Sequence, residues 1–166
     1  MTGTTNGTTN TYRIWINATP DAIWQALTDP EQLGRYGYGG RYDVELRPGG
    51  AYRAGATDQM LEAGAPELMV EGEVVEAEAP RRLEVTWHPL FDENMTAEPP
   101  TRMTYEIEPG KGGVTKLTLT HDVTGAPGAA GITDGTVVEA GGGLPWVLSD
   151  LKTLLETGST LSPQMG

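Results

Sequence analysis

Gly141-Gly142-Gly143-Leu144-Pro145-Trp146-Val147-Leu148-Ser149-Asp150-Leu151-Lys152-Thr153-Leu154-Leu155-Glu156-Thr157-Gly158 is the stretch on which the fold turns. Leu144, Val147, Leu148, Leu151, Leu154 and Leu155 recur at steps of three and four, so a helix gathers them into one apolar stripe. Pro145 suits the first turn, where a missing N–H costs nothing, and Gly158 suits the left-handed residue just past a helix end. No other segment carries a helical pattern of comparable length. Such a stripe needs a matching apolar surface, and most of the preceding chain alternates apolar and polar residues as strands do. A long helix lying across a curved sheet satisfies both patterns.

Outward from that helix, the totals set limits. A chain of 166 residues fits one domain, with a tail over residues 1–10, a domain over 11–158 and a flexible end over 159–166. At this size about two-thirds of the unfolded surface can be buried. Its apolar runs fall far short of the roughly 20 residues that cross a bilayer, and no basic-then-apolar signal opens it, so membrane insertion is not expected and a cytoplasmic location is. There is no cysteine, and His88 and His121 are the only histidines, which leaves no ordinary zinc set and no thiolate nucleophile. With 23 acidic against 11 basic residues the formal charge is −12, a balance that repels phosphate backbones, so nucleic acid is not an expected partner.

Taken in order, Tyr12 to Ile16 alternates as a half-buried strand with Trp15 outward. Thr19-Pro20-Asp21 and Asp29-Pro30-Glu31 each supply a capping oxygen, a first-turn proline and an early acid, predicting two short helices that end near Leu27 and Gly34. Tyr36-Gly37-Tyr38-Gly39-Gly40 is a loop without the order of a phosphate-binding glycine motif. Strands are expected at Tyr42–Leu46, Ala51–Thr57, Leu68–Glu78, Leu83–Trp87, Arg102–Glu108 and Val114–Asp122. Residues 58–67 read as a loose connection, 89–100 as a loop or one helical turn, and 133–139 as a short helix.

That order, with particular residues, resembles the START-like superfamily and, within it, bacterial proteins named after the C-terminal domain of the activator of the Hsp90 ATPase. The resembling pieces are Ala18 to Pro30, Arg47-Pro48-Gly49-Gly50-Ala51-Tyr52-Arg53, Gly72-Glu73-Val74 with Pro80-Arg81-Arg82-Leu83, Thr104 to Glu108, Leu117 to His121, and Ser149 to Gly158. The resemblance implies an α+β helix-grip fold. In it a bent antiparallel sheet of about six to seven strands wraps a long C-terminal helix, two short helices follow the first strand, and a cavity lies between sheet and helix. One departure is Leu144-Pro145, where the family pattern places an aromatic residue before the tryptophan of the last helix. Nothing here corresponds to the separate N-terminal domain of the eukaryotic Hsp90 activator, so an Hsp90-type chaperone is not carried over as a partner.

No nucleophile elbow and no His-Glu-x-x-His occurs, and no catalytic residue, metal ligand or cofactor is assigned. Strand phase and the helix stripe nominate Tyr42, Trp87, Met103, Tyr105, His121, Trp146, Leu148 and Leu151 as walls of a ligand cavity, with His121 or Tyr105 as its polar anchor. For His121 the alternative is an imidazole satisfied by a neighbouring hydroxyl or carbonyl. The expected function is binding of a small hydrophobic or aromatic molecule. Two alternatives stand beside it: a cyclase-type enzyme acting on a polyketide-like compound with His121 as base, and an interaction module that serves a chaperone or forms a homodimer.

Overall fold

The structure, a computed structural model, describes residues 8–137 and 141–161. Its strands are β1 (Thr9–Ile16), β2 (Arg41–Val44), β3 (Tyr52–Gly55), β4 (Leu68–Glu71), β5 (Val74–Glu78), β6 (Arg82–Pro89), β7 (Thr101–Pro109) and β8 (Thr115–Asp122). The helices are α1 (Pro20–Thr28), α2 (Pro30–Leu33), α3 (Asp58–Glu62), α4 (Glu93–Thr96), α5 (Pro127–Thr133) and α6 (Gly143–Thr157). Antiparallel pairing runs β1-β8-β7-β6-β4-β3-β2, with β5 on the first half of β6. Because β6 pairs with β5 near one end and with β4 near the other, it joins the two halves of a curved sheet. This is the helix-grip arrangement, an α+β fold whose sheet holds α6.

The start signals work as read. Thr19 Oγ1 accepts from the Ala22 N–H and Asp29 Oδ1 from the Glu31 N–H, both at 3.1 Å, so two orphan helix donors find partners. Helix α6 begins at Gly143 and is closed by Gly158, whose N–H reaches the Leu154 carbonyl at 2.8 Å. Leu144, Leu148, Leu151 and Leu154 are buried there against Ile16, Ile23, Leu83, Val85, Leu117 and Leu119. Fully burying side chains of this size contributes about 1.5–3 kcal/mol each.

Four readings are corrected. The strand expected over Leu68–Glu78 is two, because the chain breaks at Gly72-Glu73. There the Tyr52 N–H bonds the Gly72 carbonyl at 2.9 Å, and a Cβ on Gly72 would stand 2.6 Å from the Tyr52 carbonyl. Such close backbone approach admits only glycine. The loose connection contains α3, capped by Thr57 Oγ1 on the Met60 N–H. The last short helix is Pro127–Thr133, upstream of the expected 133–139, of which residues 138 and 139 lie outside the described residues. Finally, β1 already includes Thr9 and Asn10, paired with Asp122 and His121. Residues 1–7 of the expected tail and 162–166 of the expected flexible end lie outside the described residues.

On the outer face, Arg82 meets Glu76, Glu84 and Glu106, and Arg102 meets Glu84. At the β1 edge, Lys152 Nζ donates to the Trp15 carbonyl at 2.6 Å and to Glu156 at 2.8 Å, and Glu156 accepts the Asn17 N–H at 2.7 Å. Trp15 itself is 53 % exposed. Among the described residues no helix is long and apolar enough to cross a membrane.

Candidate functional site

Between the sheet and the N-terminal end of α6 lies a cavity of about 370 Å³, within the range of small-molecule sites. Tyr42, Tyr52, Trp87, Met103 and Tyr105 reach it from the strands. Tyr36, Gly37, Tyr38 and Gly39 border it from the glycine and tyrosine loop, and Leu144 and Val147 from the first turn of α6. Met60, Met69 and Phe91 complete the wall on the side of α3 and β4. Methionine and aromatic side chains supply an adaptable apolar wall.

Of the residues nominated from sequence, Tyr42, Trp87, Met103 and Tyr105 are brought together on this wall. His121, Trp146, Leu148 and Leu151 are not. The cavity touches only the first turn of α6, so Leu148 and Leu151, one and two turns further on, are packed in the closed core. Trp146 projects to the other side of that turn and stacks on Tyr38, with ring centroids 5.6 Å apart and an interplanar angle of 25°. It therefore backs a wall residue from outside.

His121 points inward as strand phase predicts, but it stops one layer short of the cavity. Its ring stands edge-on to Trp87 at 5.9 Å, and Trp87 and Thr133 separate it from the open space. Its Nε2 lies 2.8 Å from Thr101 Oγ1 and its Nδ1 3.3 Å from Thr133 Oγ1. Thr101 donates its own proton to the Trp87 carbonyl at 2.8 Å, so the His121 Nε2–H is the donor in that pair. Complete burial holds the imidazole down at about 4, below the ordinary 6.5, with Asp122 opposing in part. A neutral, hydrogen-bonded core imidazole is the outcome, and the polar anchor has to be sought elsewhere.

The tyrosines divide by what their hydroxyls do. Tyr36 donates to the Ala26 carbonyl at 2.8 Å and Tyr52 to the Leu27 carbonyl at 2.6 Å, which ties the end of α1 to the cavity wall. Among the described residues Tyr105 reaches only the Met103 sulfur, at 3.7 Å. Burial raises all four phenols, Tyr36, Tyr42, Tyr52 and Tyr105, above the ordinary range, so each keeps its proton at neutral pH. At the mouth, Tyr38 accepts the Gly143 N–H at 3.2 Å, and Asp150 Oδ2 accepts the Gly37 N–H at 2.9 Å. The other oxygen of Asp150 takes the Leu161 N–H at 2.7 Å, so one buried carboxylate fastens both the loop and the chain end to α6.

Wall residues outside those nominated from sequence include Tyr36, Tyr38, Tyr52, Met60, Met69 and Phe91. Tyr52 was within reach, since it alternates inward on β3; the others sit in loops, on α3 or on a short strand, where no period indicates direction. Among the described residues no group of His, Cys, Asp and Glu is placed to hold a metal ion.

With this geometry in hand, comparisons with known proteins give a consistent result. The family model described as Activator of Hsp90 ATPase homolog 1-like protein matches residues 17–156. DynU16, from the dynemicin biosynthetic locus, is 22% identical with a TM-score of 0.67, over 92% of this chain and 49% of that one. An HSP90 activator from Plasmodium falciparum is 23% identical with a TM-score of 0.55, over 93% and 91% of the two chains. The Aha1 dimer from Colwellia psychrerythraea is 19% identical with a TM-score of 0.61, over 90% and 97%. At these identities the likeness is one of fold. Among curated proteins none matches this chain.

Proposed function

The chain belongs to the activator of Hsp90 ATPase homolog 1-like protein family, and from that premise we propose that its cavity binds a small hydrophobic or aromatic molecule. The observation that carries this reading is the wall itself: about 370 Å³ enclosed by tyrosines, Trp87, Phe91 and three methionines, at the helix-facing side of the sheet. Apolar surface of that extent, which no side chain among the described residues fills, gains free energy when a ligand covers it.

A cyclase-type reaction on a polyketide-like compound would need a base facing the bound molecule. His121 turns one nitrogen to Thr101 and the other to Thr133, the wall residue that stands between the ring and the cavity, and its depressed pKa makes it a poor base. Binding without chemistry accounts for the site with fewer requirements. An interaction module, whether for an Hsp90-type chaperone or for a second copy of the chain, rests on the half-exposed Trp15 and on the likeness to the Colwellia dimer, neither of which uses the cavity.

Native mass spectrometry of the purified protein, followed by a thermal-shift screen of neutral aromatic and lipid-like compounds, separates these. A retained small molecule, or a ligand-dependent rise in the unfolding temperature by mass action, is the expected result. Clean protein that responds to nothing in the screen overturns the binding reading, and a homodimer mass in that case favours the interaction module.

A further inference from the structure

The hydroxyl groups on the cavity wall narrow the molecules it can accept. Those of Tyr36 and Tyr52 are committed to the Ala26 and Leu27 carbonyls, and that of Thr133 to the Ala129 carbonyl at 2.8 Å. Tyr42 and Tyr105 differ. Among the described residues the Tyr105 hydroxyl has only a thioether sulfur, a weak acceptor, and the Tyr42 hydroxyl donates to no protein atom. Both phenols line the same cavity, and the Tyr42 phenol adds to the rise that burial gives the Tyr105 value. An O–H that has left bulk water without gaining a good acceptor is unfavourable, and a ligand oxygen in the cavity these two phenols share would supply the acceptor they lack.

Charge narrows the class further. Arg53 is the one charged side chain among the described residues that line the cavity, and its guanidinium is already held by Glu71 at 2.9 Å and Asp43 at 3.7 Å. A carboxylate entering the cavity would lose its hydration and meet no unpaired cation. A hydrocarbon would leave both phenols unanswered. What remains is a neutral molecule with an apolar aromatic body and an oxygen acceptor.

Resting on the binding reading above, we propose that the site recognises neutral aromatic carbonyl compounds, with the hydroxyls of Tyr42 and Tyr105 donating to the carbonyl oxygen. Trp87 and Phe91 flank the aromatic body, and the methionines adapt to its outline.

Fluorene and fluorenone test this, since they share a ring skeleton and differ by a carbonyl; dodecanoate serves as the anionic probe. Affinities are measured by calorimetry on the full chain and on Tyr42→Phe and Tyr105→Phe. Fluorenone should bind more tightly than fluorene, and each substitution should weaken fluorenone by about three- to tenfold, the worth of one hydrogen bond, while leaving fluorene unchanged. Equal binding of the two compounds, with no effect of either substitution, overturns the carbonyl assignment and leaves the cavity as a plain apolar site. Dodecanoate binding as tightly as fluorenone overturns the neutral class. Binding of none of the three, in a protein that also fails the wider screen, counts against the binding reading itself. Because a substitution could disturb the fold, the infrared carbonyl stretch of fluorenone bound to the unaltered protein is the second measurement. A shift to lower frequency is expected from two donors, and an unshifted band overturns the proposal.

Discussion

Acidification should unfasten this protein from the inside, through His121. In the unfolded chain its imidazole takes the ordinary value near 6.5, whereas complete burial in the folded chain holds it at about 4. Between those values the unfolded chain binds a proton that the folded chain refuses. Stability is therefore fully present above the unfolded value and is lost as the pH falls from 6.5 toward about 4. At about 1.4 kcal/mol per pH unit, the gap corresponds to about 3 kcal/mol, a large fraction of the roughly 5–15 kcal/mol that holds an ordinary domain together. The measurement is urea unfolding at about pH 7 and about pH 4, on the natural chain and on His121→Gln, whose amide can still donate to Thr101 but does not titrate. Glu45, Asp122 and Glu156, all held below their ordinary values by hydrogen bonds, also lose stabilisation as the pH falls. They are present in both proteins, so the difference between the two losses reports the imidazole together with its smaller coupling to Asp122. The natural chain should lose about 3 kcal/mol more than the variant. Parallel losses would show that the buried ring accepts a proton without cost, and the account given of the Thr101 and Thr133 contacts would be wrong.

Two further outcomes follow from single polar groups. The Tyr12 hydroxyl is buried with no hydrogen-bond partner among the described residues, so Tyr12→Phe should stabilise by about 1 kcal/mol in thermal or urea unfolding; a loss instead would mean that the hydroxyl is satisfied. Asp150→Ala strips partners from the Gly37 and Leu161 N–H groups and should cost about 1–3 kcal/mol. It should also speed amide hydrogen exchange at both positions while the middle strands stay protected, and unchanged exchange at Gly37 would refute its role in holding the cavity mouth.

Much of the fold was legible because its signals are local. The α6 stripe, the two proline starts and the inward phase of Leu117, Leu119 and His121 each follow from a fixed period or a cap within a few residues. The break at Gly72 was not, since it depends on the Tyr52 strand crossing close by, a contact between segments 20 residues apart in the chain. Helix α3 did carry a start signal in Thr57-Asp58, but five residues are too few to show a period. For the cavity, alternation says only that a side chain points inward. It cannot say how deep the open space runs, and so it nominated Met103, Tyr105 and His121 alike, although His121, paired with Met103 across β7 and β8, lies behind the wall.

The bond from Lys152 to the Trp15 carbonyl has a meaning outside ligand chemistry. A sheet that does not close into a barrel exposes the backbone of its outermost strand, and β1 is such a strand. An unpaired carbonyl there invites a strand from another molecule, which is how ordered aggregates begin. At Trp15 a visiting amide finds the acceptor already occupied by an ammonium group, and at Asn17 a visiting carbonyl finds the amide held by Glu156. The C-terminal helix thus reaches past the core it completes and closes the end of the sheet's edge to strand addition beside its most exposed tryptophan.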